Sequence, residues 1–451
     1  MKSGLLVFAV VSISALGSAF AGDTEKSDAH CGICDFKKQA KEALPWLEWG
    51  AELRLRAIWD KNVRSCDDSA EGNERFWQRY RGRLWTTSTL ADNLKLNFGA
   101  AWEMRNYCRP EGMRDTDFDE VVFETLNIEW SKALGLPLRV KVGRQNLGDL
   151  NRWLFAEGTP LDGSRTWYFD AARFTYELAE RKTTVDVVYI NQYSDSDKWL
   201  PPINDHIDRH LLENDERAVV LYVKNKSLDK TQIDGYYIWR RTWRELDNGW
   251  DSDLSTIGGR IAGDIDDHWK YYAELATQVG SKDGFHVSAM GGNSRISYHL
   301  NDELNNNFRL GYEYRSAGRH PRENFDILWG RWTYISNIYV DYLGSLENNF
   351  EMFSNLHRVN FGWSCEPTKK LSVHADYNLL FADDNQSDDL GERFSQSGCL
   401  RGHLFAGLLK YKFNEHVSGH LIGELLLPGD YYTDMSNDPA IFLRYELMFR
   451  F

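Results

Sequence analysis

The sequence predicts an all-β protein: a transmembrane antiparallel β-barrel of about 18 strands, with long extracellular loops and short periplasmic turns. Three observations predict it. From Trp46 to the C-terminus, apolar and charged residues alternate with period two. The alternating segments run about 9–12 residues, the length a tilted strand needs to cross a bilayer. The connections between them are alternately short and long, as in outer-membrane barrels.

The first segment shows the pattern. Leu47, Trp49, Ala51, Leu53, Leu55, Ala57 and Trp59 share one face, and Glu48, Glu52, Arg54 and Arg56 share the other. Lys95, Asn97, Glu103 and Arg105 alternate with Leu94, Leu96, Phe98, Trp102 and Met104. Arg309, Glu313 and Arg315 alternate with Phe308, Leu310, Tyr312 and Tyr314. The last segment sets Ile441, Leu443, Tyr445, Leu447 and Phe449 against Arg444, Glu446 and Arg450. A soluble sandwich buries its apolar faces against each other and turns charge to water. A membrane barrel turns the apolar face to lipid and the charged face to a wet lumen. Aromatic residues near segment ends (Trp46, Trp59, Trp102, Trp130, Trp269, Trp363) suit interface girdles.

Strands are expected to start near residues 46, 75, 94, 120, 138, 168, 183, 216, 231, 254, 269, 286, 306, 354, 371, 402, 417 and 440. Short connections fall at 90–93, 180–182, 266–268, 301–305, 366–370 and 414–416. Long ones fall at 61–74, 147–167, 195–215, 318–353 and 383–402. An even strand number leaves both chain ends on the periplasmic side. The C-terminal Phe451, with apolar or aromatic residues at alternate positions behind it, resembles the signal read by the bacterial outer-membrane assembly machinery. Outer-membrane lipid and that barrel assembly machinery are therefore expected partners, and the bacterial outer membrane the expected location.

Composition agrees by exclusion. The 451 residues are 42% hydrophobic, and no uninterrupted apolar run reaches the ~18 residues of a membrane helix. Aromatic residues make up 14% and prolines number 10, which does not suit a disordered chain. A net charge of −14 argues against a nucleic-acid binder. Residues 1–21 read as a secretory signal peptide: Lys2, an apolar stretch from Leu5 to Leu16, then Ala19-Phe20-Ala21. Residues 22–45 form a polar periplasmic tail, and 46–451 the barrel. Of the six cysteines, Cys31 and Cys34 read as a local disulfide, because haem attachment would need His where Asp35 stands. Cys66 and Cys108 lie in polar stretches on the same side, and a bridge between them is expected, with Cα atoms within about 7 Å.

The charged face is rich in arginine: Arg54, Arg56, Arg79, Arg81, Arg83, Arg105, Arg139, Arg173, Arg240, Arg260, Arg295, Arg309, Arg358, Arg444 and Arg450. Arg79, Arg81 and Arg83 form a ladder on one strand. Such a ladder is tolerable in a water-filled lumen with carboxylates between the guanidiniums. The plain reading is ion-pair ladders that fill a barrel. The functional reading is a pore with a basic selectivity zone, since rings of Arg select anions. The narrowest zone is assigned to Arg79, Arg81, Arg144, Arg152 and Arg173, with Arg54, Arg56, Arg309, Arg358 and Arg444 as further pore-lining residues. Arg144 shares parity with Val140 and Val142, so a bulge at Gly143 is expected to return it to the lumen. The loop 147–167 is long enough to fold inward with Arg152.

Gly143-Arg144-Gln145, then Gly148-Asp149 and Arg152, then Thr166-Trp167-Tyr168-Phe169-Asp170-Ala171-Ala172-Arg173-Phe174-Thr175-Tyr176, resemble the alginate-export family of outer-membrane porins. Phe325-Asp326-Ile327-Leu328-Trp329-Gly330 also looks like a family segment. Ala171-Ala172 stands where Gly and Val are usual. The resemblance implies a monomeric 18-stranded barrel with an arginine-rich pore, passing an anionic uronate polysaccharide, and periplasmic export-complex proteins as partners. Arg144, Arg152 and Arg173 match its motif positions, and Arg79 and Arg81 its early arginines. An uptake porin for small organic acids or sugars would share these features. No enzyme is expected: Ser372 and Ser418 near His374 and His420 are ordinary wall neighbours, and no Gly-x-Ser-x-Gly or His-Glu-x-x-His motif occurs. No cofactor is expected. The acidic stretch Asp383–Asp389 lacks the Gly and terminal Glu of a calcium loop.

Overall fold

The computed structural model describes residues 39–113, 120–155, 168–195, 198–204, 212, 214–247, 249–330, 336–339 and 353–451. The signal segment and the Cys31/Cys34 pair lie outside the described residues. The chain divides into two compact units, 1–45 and 46–451. The second is one closed sheet of 18 strands.

The strands are β1 (Leu47–Lys61), β2 (Glu74–Ala91), β3 (Leu94–Arg109), β4 (Val121–Trp130), β5 (Leu138–Gln145) and β6 (Phe169–Leu178). The next six are β7 (Thr183–Gln192), β8 (Asn214–Asn225), β9 (Thr231–Arg244), β10 (Ser252–Asp264), β11 (Trp269–Lys282) and β12 (Phe285–His299). The last six are β13 (Asn307–Arg315), β14 (Leu356–Thr368), β15 (Leu371–Phe381), β16 (Leu400–Lys412), β17 (Val417–Pro428) and β18 (Ala440–Arg450). Each start lies within two residues of the position the alternation predicts. Every strand pairs antiparallel with its chain neighbours, and β1 pairs with β18 to close the barrel. Ala51 and Phe451 exchange backbone hydrogen bonds at 3.1 and 2.9 Å, so the last residue is part of that seam. Closure leaves no sheet edge, which lipid would otherwise meet with unpaired amides.

Period two decides which way each side chain points. On β1, Leu53 is 42% exposed while Arg54 is fully buried. The simple rule of apolar outside and polar inside fails on β7 to β10. There, Val187, Tyr189, Val219, Leu221 and Ile257 are exposed, yet the opposite face carries Val188, Ile190, Ala218, Val220, Ile238 and Leu254, all completely buried. These strands are apolar on both sides because folded-in loops cover their inner face.

Two expectations are corrected. No extra residue sits at Gly143: β5 pairs with β4 and β6 without a shift. Gly143 instead takes φ +116°, and a side chain there would run into the Leu126 carbonyl. The register shift lies next door, where β4 skips Glu124 against β3. The second correction concerns the cysteines. Cys66 and Cys108 are not joined by a disulfide, and Cys108 belongs to β3 rather than to a loop. Cys66 is sealed under the β17–β18 connection, where its carbonyl accepts the Asp438 N–H at 2.8 Å. Burial, with Asp438 nearby, pushes its thiol up to about 12.

Two outcomes follow from this packing. A maleimide should label Cys108 and Cys399 on the folded barrel and reach Cys66 only after unfolding; early labelling of Cys66 would contradict its burial. Leu53→Arg should cost about 2–4 kcal/mol in vesicle unfolding titrations. An unchanged midpoint would mean that this face does not meet lipid.

Candidate functional site

The basic wall is built by β18, β1, β2 and β3. The β1–β2 register sets Arg54 against Arg81 and Arg56 against Arg79. Like charges directly opposite destabilise a sheet, so carboxylates from the flanking strands interleave. Glu52 takes Arg81 at 2.5 Å and Arg450 at 3.1 Å. Glu446 takes Arg56 and lies 3.9 Å from Arg54, with His420 at 3.1 Å on its other oxygen. Glu103 joins Arg79 (3.0 Å) and Arg105 (3.3 Å), and Glu124 takes Arg83 at 2.8 Å. Arg444 donates to His420 Nε2 at 3.0 Å and to Asn337 at 2.9 Å. The named side chains are eight guanidiniums and four carboxylates, so the wall carries net positive charge.

These arginines form two layers. Arg54 and Arg81 have fully buried side chains and Arg56 is 2% exposed. Arg83, Arg105 and Arg450 are 15%, 35% and 53% exposed and reach water. A second basic group lies on β12 to β14. Arg309 holds Asp376 with both oxygens at 3.0 Å, and Arg358 holds Glu313 at 2.8 and 3.0 Å. Arg295 lies over the Tyr272 ring.

Two loop segments fold into the barrel. After β5, Arg173 of β6 clamps Asp149 with both Nη atoms (2.9 and 2.8 Å) while its Nε holds Asp186 at 2.8 Å. Burial alone would raise the Asp149 pKa, but Arg173 and Lys224 hold it below its ordinary value. Further along, Asn151 donates to Glu274 of β11, and Trp153 Nε1 donates to Glu313 of β13 at 2.9 Å. The segment therefore crosses the interior from β6 to β13. The second segment follows β13. Asp326 accepts from Arg240 (2.8 Å) and Lys282 (2.9 Å), and exchanges backbone hydrogen bonds with the Gln278 side chain. Burial opposes ionisation of Asp326, but the two cations overrule it and hold its carboxyl well below the usual range. The segments join where Trp329 donates its backbone N–H to the Leu154 carbonyl at 3.0 Å. Phe155 stacks on Trp329 and Trp153 on Phe325. Gly330 is required there, since a side chain would strike the Trp153 carbonyl.

The arginines chosen from sequence fall into different places. Arg54, Arg56, Arg79, Arg81 and Arg444 share the β18–β3 wall and are buried. Arg309 and Arg358 belong to the second group. Arg173 clamps the inward loop. Arg144 is 1% exposed, bound through two hydrogen bonds of 2.9 Å to its cross-strand partner Asp170, with Tyr168 3.6 Å from its guanidinium. Arg152 is exposed on the folded-in segment. The water-facing Arg83, Arg105, Arg295 and Arg450 were legible as inward residues, but alternation has no means of ranking accessibility. Glu274 was legible as an inward carboxylate but not as a loop anchor, Asp326 was signalled only by the Phe325–Gly330 run, and nothing in the sequence pattern marked Trp153.

Comparison with known proteins agrees with this architecture. A model of the family described as alginate export matches residues 46–438. No curated protein matches the chain in sequence. Among solved structures, Acinetobacter baumannii OccAB2 superposes with a TM-score of 0.57 at 10% identity, covering 90% of this chain and 98% of that one. Pseudomonas aeruginosa OpdQ gives 0.55 at 12% identity, covering 90% and 97%. Pseudomonas aeruginosa OprD gives 0.54 at 11%, covering 90% and 95%.

The Asp326 clamp has a pH signature. A carboxylate with a lowered folded-state pKa contributes stability above its unfolded value near ~3.9, and that contribution fades as pH falls below it. Asp326→Asn leaves Arg240 and Lys282 buried without their carboxylate, at a cost of about 3–5 kcal/mol. Single-channel conductance of this variant should be raised or noisy at neutral pH, as wild type becomes only at a pH well below the ordinary aspartate range, where the folded carboxyl itself takes up a proton. Identical traces for the two proteins at both pH values would show that Asp326 does not hold the segment in place.

Proposed function

The chain belongs to the alginate export family and is a bacterial outer-membrane β-barrel channel; from that premise we propose that it passes an anionic polysaccharide of the alginate type outward by passive diffusion. What carries this reading is the surplus of guanidiniums over carboxylates on the β18–β3 wall, with Arg83, Arg105 and Arg450 open to water. A guanidinium presents a planar fork that matches a carboxylate and stays charged at every relevant pH. Arg105 and Arg450 are each partly satisfied by Glu103 and Glu52. A uronate carboxylate therefore exchanges with an existing partner instead of meeting a bare cation. Each contact is weak and the next is near, which is what conduction requires. The buried layer beneath keeps the wall positive and the forks in place.

The two crossing segments divide the labour. They fill the β6–β12 side of the interior with apolar side chains, while Asn337 and Ile338 of the β13–β14 connection touch Arg444 and Glu424 at the edge of the charged side. Arg79, Arg81, Arg144, Arg152 and Arg173 then act by placement: the first two as buried positive charge, Arg144 and Arg173 as fasteners, and Arg152 as an exposed charge on the inner segment. Direction comes from the gradient and from periplasmic export proteins, and a single barrel suffices as the conducting unit. The same constriction also suits a small organic acid or sugar, so chain length is the discriminating variable.

Planar-bilayer recording tests both readings. The wild-type reversal potential under a salt gradient should be anion-selective, and uronate oligomers should block in a length-dependent way. Arg83→Gln with Arg105→Gln should move the reversal potential toward zero and weaken block about tenfold, as expected for one lost charge-assisted contact. A cation-selective wild-type pore that uronate oligomers neither block nor enter would end the export reading. Block by monomeric acids alone would favour uptake.

A further inference from the structure

The outer wall carries a charged row that the channel does not use. Odd-numbered residues of β8 and β9 face outward, as the exposed Val219, Leu221, Ile233 and Tyr237 show. One pleat beyond Val219 and Trp239, toward the long-loop rim, the outward positions are Arg217 and Arg241, both exposed. They are direct cross-strand partners. Two like charges so placed repel each other, and yet both converge on one ring: their guanidinium carbons lie 5.2 and 5.1 Å from the Trp243 ring centroid. Arg217 donates Nε to Asn191 Oδ1 at 3.1 Å, and no carboxylate among the described residues lies within ion-pair distance of it. Arg241 has Asp253 at 4.0 Å, the outer limit of an ion pair, while that carboxylate accepts the Trp239 indole N–H at 2.9 Å. Lys198 stands over Tyr193 close by, 3.7 Å from Asp215.

We propose that Arg217 and Arg241, steadied by Trp243, form a phosphate-binding site on the outer wall, occupied by the phosphorylated glycolipid of the outer leaflet. Position selects this ligand. The arginine pair sits one pleat above lipid-facing Val219 and Trp239, at the height where acyl chains give way to headgroups. A free anion would satisfy the forks but leave the apolar strip beneath to other lipids. A phosphoglycolipid satisfies both from one molecule. Paired guanidiniums match phosphate oxygens bidentately, and a basic surface between membrane-facing residues binds anionic headgroups. The bound phosphate also removes the cross-strand repulsion, so the site anchors this side of the barrel to its own leaflet.

The test is retention of lipid A through detergent exchange, measured by mass spectrometry on folded protein, with folding checked by heat-shifted gel migration. Wild type should retain bisphosphorylated lipid A and release the dephosphorylated form. Arg217→Ala with Arg241→Ala should retain about tenfold less, the loss expected for a charge-assisted contact. Arg217→Lys with Arg241→Lys should fall between, because charge persists without the fork. If the alanine pair does not fold, the lysine pair and the dephosphorylated lipid still decide. Equal retention by wild type and the substituted proteins overturns the proposal, as does equal retention of the dephosphorylated lipid. Complete displacement by inorganic phosphate would assign the site to a free anion and overturn it equally.

Discussion

The barrel depends on how its first and last strands are joined. Backbone pairing between β1 and β18 closes the sheet, but the lumen side of that seam carries four arginines, Arg54, Arg56, Arg444 and Arg450. Glu446 reaches from β18 to Arg56 of β1, and Glu52 of β1 holds Arg81 of β2 and Arg450 of β18. Two carboxylates thus knit three strands together across the closure. Remove them and Arg54, Arg56, Arg79 and Arg81 would face each other in a space with little water. The charge that makes this wall of the lumen basic is also what threatens the seam, and the glutamates are placed to contain it without cancelling it.

That balance explains the asymmetry of the interior. A ring of ion pairs all round would need many buried charges, each with a desolvation penalty of several kcal/mol. The chain instead gathers charge on β18 to β3 and on β12 to β14 and covers the inner face of β7 to β10 with folded-in loops. Val188, Ile190, Val220 and Ile238 can face inward because Phe155, Trp329 and their neighbours cover them. The loops are held by a few strong polar contacts, Arg173 to Asp149 and Arg240 to Asp326 among them. The same contacts hold the loops across the interior and fasten them to the wall.

The outer surface obeys a different solvent. Outward apolar residues need only match lipid, so they vary freely among Leu, Val, Ile and aromatic types. A charge there needs either the membrane interface or a partner. Arg217 and Arg241 stand at the interface, and Trp243 between them provides an amphipathic surface that tolerates both cation and lipid.

Strand number, strand limits, inward or outward facing and the arginine content of the lumen were all readable in the sequence. The reason is that a barrel strand must alternate along its whole length, and lipid enforces the outer half of that pattern locally. Gly143 shows where local pattern stops: alternation puts Arg144 on the wrong face, and only the backbone torsion and the pairing with Asp170 account for its burial. The Cys66–Cys108 bridge failed for a related reason, because the β17–β18 connection covers one thiol and not the other. The division of the arginines into a buried layer and a water-facing layer, and the covering of β7 to β10 by segments more than a hundred residues apart in the chain, were decided by tertiary structure alone. Period two says which side of a wall a residue occupies; only long-range packing says what stands in front of it.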